Sequence, residues 1–173
     1  TTMKPYVDIT GSGENSTVIS ATTGTAVTAA ANSLLEKVKI TRSAAGTVYG
    51  VYGSNVDNFI LRDTNVNVIS TDNLSVGVLA EVGSDNVVVD NVQVTVEGRG
   101  NTDSAIGIIA SDTSVVYVFN SQMTVTQTGN QQVSRVASYE TNSKVYVYNS
   151  DVTVNQTGTG PALAMHVDSG RAD

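Results

Sequence analysis

The sequence predicts an all-β protein, a single-stranded right-handed parallel β-helix of about five to six coils, each of about 26 to 30 residues. The composition is rich in Val, Thr, Asn and Ser, with 15 Gly, two Pro and no Trp, a mixture that favours strands and turns. A strand-like segment recurs along the chain, and within each copy apolar and polar residues alternate with a period of two. Stacking like coils on one another is the simplest way to bury every apolar face.

The recurring segment is clearest in the runs VVVDNVQVTVEG, VYVFNSQMTVTQTG and VYVYNSDVTVNQTG. Their asparagines are spaced by 29 residues, from Asn91 to Asn120 and again from Asn120 to Asn149. The earlier runs FILRDTNVNVIS and LLEKVKI place Asp63 and Lys37 in the same column. A second column upstream keeps the same spacing and holds Gly50, Gly77, Gly107 and Val136. Two columns in phase indicate stacked coils.

The first column is expected to be structural. Its members follow the inward-facing Val residues in phase, so we expect these side chains to point inward at a turn. A stacked amide can accept a hydrogen bond from the next coil while local backbone groups take the remaining bonds. The predicted ladder consists of Asp63, Asn91, Asn120 and Asn149.

Length and charge restrict the functions that the chain can have. Its 173 residues, 40% of them hydrophobic, suit one β-helix domain, 1–173. Both ends read as interrupted coils, so we expect a fragment of a longer protein. The 16 acidic and 9 basic residues give a net charge of −7, which argues against a nucleic-acid partner. No run approaches the roughly 18 apolar residues of a membrane helix, so no membrane insertion is expected.

These columns resemble the right-handed parallel β-helix superfamily typified by pectate lyases, and phage tailspikes and large bacterial surface proteins are similar. The resemblance covers nearly the whole chain, and YVDITGSGENSTVIS is similar to the opening coil of such proteins. It implies a secreted protein, at the cell surface or on a virion. It implies no particular reaction, because the architecture hosts lyases, hydrolases, esterases and inert spikes.

Four of the nine aromatic residues are predicted to form one outward patch on two neighbouring coils: Tyr117, Phe119, Tyr146 and Tyr148. Aromatic faces stack on the apolar faces of sugar rings, so a flat platform here could bind a polysaccharide. An exposed apolar cluster also marks protein interfaces. A third interpretation is that another segment of the protein packs over the patch.

A second outward stripe is acidic. The sequence aligns Ser54, Glu81, Ser111, Glu140 and Asp168 in one column, beside Tyr52, Leu79, Ile109, Ser138 and His166. Glu140, His166 and Asp168 would then converge as a weak general acid and base group or a weak calcium site. No other metal or cofactor site is expected. A pectate-lyase-type enzyme would need clustered acidic residues for calcium and a basic residue beside a carboxylate, and this pattern is absent.

The sequence therefore predicts a non-catalytic module that binds a polysaccharide or a protein surface, or serves as a structural spacer. The alternative is a polysaccharide lyase or hydrolase, or a fragment of one. A third hypothesis is assembly into homo-oligomers or end to end, because uncapped coils present unpaired strand edges.

Overall fold

The computed structural model describes residues 1–100, 104–130, 133–140, 142–168 and 171–172, and for 133–135, 164–168 and 171–172 it describes the backbone alone. The strands in this part of the chain are β1 (Ile9–Thr10), β2 (Val18–Ala21), β3 (Thr25–Thr28), β4 (Leu34–Glu36), β5 (Lys39–Ala44), β6 (Val48–Ser54), β7 (Ile60–Ser70), β8 (Ser75–Glu81), β9 (Val87–Gly98), β10 (Ala105–Ala110), β11 (Val115–Phe119), β12 (Gln122–Gln127), β13 (Val133–Tyr139), β14 (Lys144–Tyr148), β15 (Asp151–Gln156), β16 (Ala162–Asp168) and β17 (Arg171–Ala172). Among these residues there is no helix long and apolar enough to cross a membrane.

The strands stack in parallel as a β-solenoid of about five turns, which confirms the predicted fold class. Each full coil contributes to three faces. The first face contains β1, β4, the first half of β7, the first half of β9, β11, β14 and β17. The second contains β2, β5, the remaining halves of β7 and β9, β12 and β15, and the third contains β3, β6, β8, β10, β13 and β16. The first two faces form one bent sheet.

The core lies inside the solenoid, where like residues stack on like. Leu35 pairs with Leu61, Leu61 with Val89, and Val89 with Val118, and all four are fully buried. The strands of the second face alternate inward apolar with outward residues, most of them polar, whereas β8 and β10 on the third face are apolar and buried on both sides. Parallel stacking places like residues in the same inward column. Burial of these columns is the main stabilising contribution to the fold.

The amide column marks the corner between the first and second faces, and the predicted inward orientation is wrong. Asn91, Asn120 and Asn149 are exposed and adopt the left-handed conformation, with φ of 52°, 50° and 47°. A left-handed residue interrupts the two-residue alternation, so the column turns outward while Ser121, the next residue after Asn120, is buried. Asn tolerates this conformation better than other non-glycine residues.

The amide column forms a ladder of hydrogen bonds between coils. Asn91 Nδ2 donates to Asp63 Oδ1 at 2.7 Å, and Asn149 Nδ2 donates to Asn120 Oδ1 at 2.7 Å. Asn120 Nδ2 donates to Asp90 Oδ1 at 3.0 Å. The column therefore links successive coils from the outside of the corner.

A second amide ladder, which the sequence pattern did not reveal, lies at the corner between the third and first faces. Asn58 Nδ2 donates to Asn32 Oδ1 at 3.0 Å, and Asn86 Nδ2 donates to Asn58 Oδ1 at 3.3 Å. All three residues have positive φ. Inside the same corner the hydroxyl of Ser84 accepts a hydrogen bond from the Val56 N–H. Two corners of the solenoid thus contain asparagines with positive φ whose side chains are hydrogen-bonded from coil to coil.

The glycine column lies on the third face and needs one correction. Gly50 aligns with Gly77, and Gly77 with Gly107. Between β10 and β13, however, Ile106 pairs with Ser134 and Ile108 pairs with Val136. The residue opposite Gly107 is therefore Arg135, and Val136 lies one position further on. The connections between the second and third faces differ in length from coil to coil. A fixed spacing from the amide column therefore does not locate a residue on the third face.

Candidate functional site

The four predicted aromatic residues meet on the first face, on β11 and β14. Tyr117 pairs with Tyr146 and Phe119 with Tyr148 in the parallel register. The ring centroids of each pair are 5.2 Å apart, with interplanar angles of 13° and 12°. Along each strand the neighbouring rings are 6.4 and 6.5 Å apart and also nearly parallel. We call these four residues the aromatic ladder.

The aromatic ladder is not the flat platform that the sequence suggested. Parallel rings only 5.2 Å apart overlap as an offset stack, because rings lying side by side in one plane need a larger separation. The neighbouring ring covers much of each ring face. Tyr148 remains 48% exposed, while the other three rings are half-buried. The ladder therefore forms a ridge of ring edges along the solenoid.

A polar groove follows the corner beside this ridge. It has a volume of about 320 Å³, and the polar side chains along it are Glu14, Asn65, Asn91, Gln93, Asn120 and Gln122. A second shallow depression of about 350 Å³ shares Gln122 and continues past Thr124, Asp151 and Thr153. We call the first of these the amide groove. Apart from Glu14 of the first coil, the residues of its walls come from three successive coils and are mostly carboxamides.

The amide groove contains two kinds of carboxamide. Asn91 and Asn120 belong to the structural ladder described above. The side chains of Asn65, Gln93 and Gln122 make no hydrogen bond to any other described residue. They form one register column, since Asn65 pairs with Gln93 and Gln93 with Gln122. Each can therefore offer two donors and an acceptor to a ligand.

The arginines whose side chains the structure describes are engaged away from the groove, whereas Lys39 pairs with Asn65 on the neighbouring strand. Arg62 Nη2 pairs with Glu36 Oε2 at 2.6 Å, and Arg99 Nε pairs with Glu97 Oε1 at 2.6 Å. Arg42 is buried and donates from Nε to the carbonyl of Gly24 at 2.7 Å. These are the arginines whose side chains the structure describes. The charged group that lines the amide groove is the carboxylate of Glu14.

The strand register differs from the column alignment that predicted a grouping of Glu140, His166 and Asp168. Ala110 pairs with Ser138, which places Ser111 opposite Tyr139 and leaves Glu140 one position further along. His166 pairs with Ala137, and Asp168 with Tyr139. The same one-residue shift that displaced Val136 displaces Ser138 and Glu140. The side chains of His166 and Asp168 lie outside the described part of the chain.

Glu140 instead lies beside Asp112 of the preceding coil. A hydrogen bond with Asp112, together with the repulsion between the two carboxyl groups, raises the pKa of Glu140. On the first face the opposite holds for Glu36, because its hydrogen bond with Arg62 lowers its pKa. Within the described residues, no three or more His, Asp or Glu side chains come close enough together to hold a metal ion.

These two carboxyl groups predict opposite effects of pH on stability. Because the pKa of Glu140 is raised in the folded state, ionisation of Glu140 destabilises the fold. The free energy of unfolding therefore falls as pH rises from 4.5, the ordinary pKa of the group, through the raised pKa. A lowered pKa means that Glu36 stabilises the fold above its ordinary value, and that this stabilisation is lost as pH falls. We expect Glu140→Gln to be more stable than the parent at pH 7, and Glu36→Gln less stable. Urea unfolding at pH 7 and at pH 3 measures the change in the free energy of unfolding for each variant. Both changes should be smaller at pH 3. Changes of the same sign for the two variants at pH 7 would contradict the assignment.

The amide groove was missed from sequence although its signal was present. Asn65, Gln93 and Gln122 lie two residues after the corner column, on the outward parity of the second face. Aligning that position as the corner column was aligned would have found them.

Comparison of the chain with protein-family models, with curated proteins and with solved structures finds no match.

Proposed function

We propose that this chain is a non-catalytic β-solenoid module of an extracellular, cell-surface or virion-spike protein, and that it binds carbohydrate in the amide groove beside the aromatic ladder. The observation that carries the proposal is the register column of Asn65, Gln93 and Gln122. Three carboxamides on consecutive coils lie on the outer surface and make no side-chain hydrogen bond within the described part of the chain. Sugar hydroxyls both donate and accept hydrogen bonds, so a carboxamide can bind them in both senses.

The surroundings favour carbohydrate over a protein partner. Protein interfaces centre on apolar and aromatic surface that becomes fully buried. Here the ring faces of the aromatic ladder are largely occupied by one another, and the concave surface beside them is polar. The ring edges and the exposed face of Tyr148 can still contact the apolar side of a sugar. A rigid polar groove with an aromatic wall fits a glycan best.

A polysaccharide lyase or hydrolase, in the manner of the pectate-lyase-like proteins that the repeat resembles, is the second candidate. The observation in its favour is the raised pKa of Glu140, since a carboxyl group with a raised pKa suits a general acid. Glu140 follows β13 at the corner between the third and first faces, however, whereas the amide groove follows the corner between the first and second. The amide groove and the carboxyl group of Glu140 therefore lie at different corners of the solenoid.

A binding experiment with groove variants tests the proposal. We expect the purified chain to bind polysaccharides on a glycan array and to release no unsaturated or reducing products. Gln93→Ala combined with Gln122→Ala should weaken binding about fivefold or more, because each lost hydrogen bond contributes about 0.5–1.5 kcal/mol.

Asn67→Ala is the matched control. Asn67 is an outward carboxamide on β7 only two residues from Asn65, but it does not line the groove. It should bind like the parent. Equal binding by the double variant would disprove the groove as the site, and product release abolished by Glu140→Gln would establish the enzyme instead.

A further inference from the structure

An apolar stripe runs along the outside of the first face. It takes one outward residue from each of five successive coils, and strand pairing aligns them in the order Leu34, Ile60, Val88, Tyr117 and Tyr146. All five are half-buried, so part of each side chain remains exposed. The faces of parallel sheets are ordinarily covered, and a continuous exposed apolar surface marks a contact site. The apolar stripe is therefore a candidate interface.

The charged groups beside the apolar stripe already have partners on the same face. The carboxylate of Glu36 accepts from Arg62 Nη2 at 2.6 Å and from Thr10 Oγ1 at 3.1 Å. Asp90 Oδ1 accepts from the amide of Asn120 at 3.0 Å. Polar groups that are paired cost less to bury than unpaired ones. The first face is thus better suited to being covered by another protein surface than the amide groove, whose carboxamides are not engaged in this way.

The two halves of the apolar stripe complement each other in height. Leu34 and Ile60 are aliphatic and low, whereas the rings of Tyr117 and Tyr146 belong to the ridge of the aromatic ladder. A second copy turned end over end sets the ridge of one copy on the low half of the other. Val88 then meets the partner's Val88 at the centre. The operation is a two-fold rotation about an axis parallel to the strands, so the facing sheets keep their strands aligned, as packed sheets usually do.

The next outward column of the first face fits the same arrangement. It contains Glu36, Arg62, Asp90, Phe119 and Tyr148. Arg62 would face the partner's Phe119, which allows a contact between the cation and the ring. Glu36 would face the partner's Tyr148, whose hydroxyl can donate to the carboxylate. Asp90 would face the partner's Asp90, and this is the one unfavourable pair.

The size of the first face sets the strength of such a contact. Five coils at about 4.8 Å and strands of about five residues give a footprint of about 400 Å² on each copy. Specific interfaces of this size are at the low end of the known range and are weak. Association in the micromolar range is therefore expected.

We infer that this chain pairs with a second copy of itself, antiparallel, through the apolar stripe of the first face. The contact covers the first face of both copies. The amide groove starts at the corner column and continues on the second face, so pairing leaves it open. Because the rotation axis is parallel to the strands, the two grooves lie along the same edge of the dimer.

Sedimentation equilibrium of the purified chain tests the association. We expect a reversible dimer at micromolar and higher concentrations, and a monomer at every concentration would overturn the inference. Val88→Lys sets two lysines against each other at the centre, so it should weaken association at least tenfold.

Thr95→Lys is the matched control. Thr95 faces outward on the same strand but on the second face, so this variant should associate like the parent. Circular dichroism verifies that both variants are folded. Unchanged association in Val88→Lys, or an equal loss in both variants, would overturn the first face as the interface.

Asp90→Asn gives a result that does not depend on losing a contact. It removes the like-charge pair at the centre, so association at low salt should become severalfold stronger. Unchanged or weaker association would show that the two Asp90 residues do not face each other.

Single cysteines test the antiparallel arrangement, since the chain contains no cysteine of its own. A short bismaleimide should cross-link Val88→Cys to its own copy. Leu34→Cys alone should not be cross-linked, because its two copies would lie about 19 Å apart along the solenoid axis. Leu34→Cys mixed with Tyr146→Cys should be cross-linked. Efficient cross-linking of Leu34→Cys alone would overturn the antiparallel arrangement.

The glycan array separates this inference from the proposed function. Val88 does not line the amide groove, so Val88→Lys should bind the same polysaccharides as the parent. A monomeric parent that binds a polysaccharide would overturn self-association alone. A dimeric parent that binds none would overturn the carbohydrate function alone.

Discussion

Replacing Gly77 with Ala is expected to destabilise the protein by about 3 kcal/mol, the upper range for overpacking a filled interior. A Cβ atom on Gly77 would lie 2.5 Å from the carbonyl oxygen of Gly107 on the next strand and 2.5 Å from Val94 Cγ1 across the core. The carbonyl is held in the sheet, so the strand itself would have to move. Because successive coils depend on one another, the displacement would spread along the stack.

Gly53→Ala is the matched control for this substitution. Gly53 is buried on β6 of the same face, but a Cβ atom there would be 3.6 Å from Val56, an ordinary contact. We expect Gly53→Ala to be neutral or to stabilise the protein by about 0.4–1 kcal/mol, since alanine reduces the freedom of the unfolded chain. Chemical unfolding followed by circular dichroism compares the two variants. Similar destabilisation by both would mean that the close approach at Gly77 is not what requires glycine.

Leu61→Ala is expected to cost about 2–5 kcal/mol, the range for removing a buried leucine from a core that cannot close around the cavity. Leu61 is fully buried on β7 between Leu35 and Val89 of the adjacent coils. The stacked backbones fix the spacing of these side chains, so the neighbours cannot move in to fill the space.

Ile60 provides the comparison, because it precedes Leu61 on the same strand and faces outward. Ile60→Ala should cost well under half as much as Leu61→Ala in the same urea titration. Equal losses would indicate that β7 does not bury the parity that the structure assigns to the core.

The fold was predictable because a solenoid repeats the same local pattern in every coil. The alternation in the runs that begin at Val87, Val116 and Val145 fixed the inward parity. The 29-residue spacing by itself placed Tyr117 beside Tyr146, where the two strands pair. Both features depend on local pattern alone, and parallel stacking converts that pattern directly into neighbours.

The errors arose where the period of two is broken. Asn120 was assigned to the interior because the alternation was continued through a residue that is left-handed, with φ of 50°. Glu140 was aligned with Ser111 because a constant coil length was assumed across the variable connection that precedes β13. Neither a positive φ nor a register shift leaves a distinct mark on hydrophobic periodicity. The amide groove was missed for another reason, since the position two residues after the corner column was not aligned from coil to coil.

The unequal connections that misaligned the third face also mark where the molecule can be redesigned. Between the first and second faces the corner is short in every coil after the first, as in Lys37 and Val38 between β4 and β5 or Asn120 and Ser121 between β11 and β12. Between the second and third faces the connection grows from 45–47 to 71–74 and then to 99–104, while the strands on either side stay paired. The coils of this chain thus accommodate different connection lengths at the same corner. A peptide epitope or a tether grafted into these connections would be displayed on successive coils. The connections lie at the edge of the second face that is farther from the amide groove and the aromatic ladder.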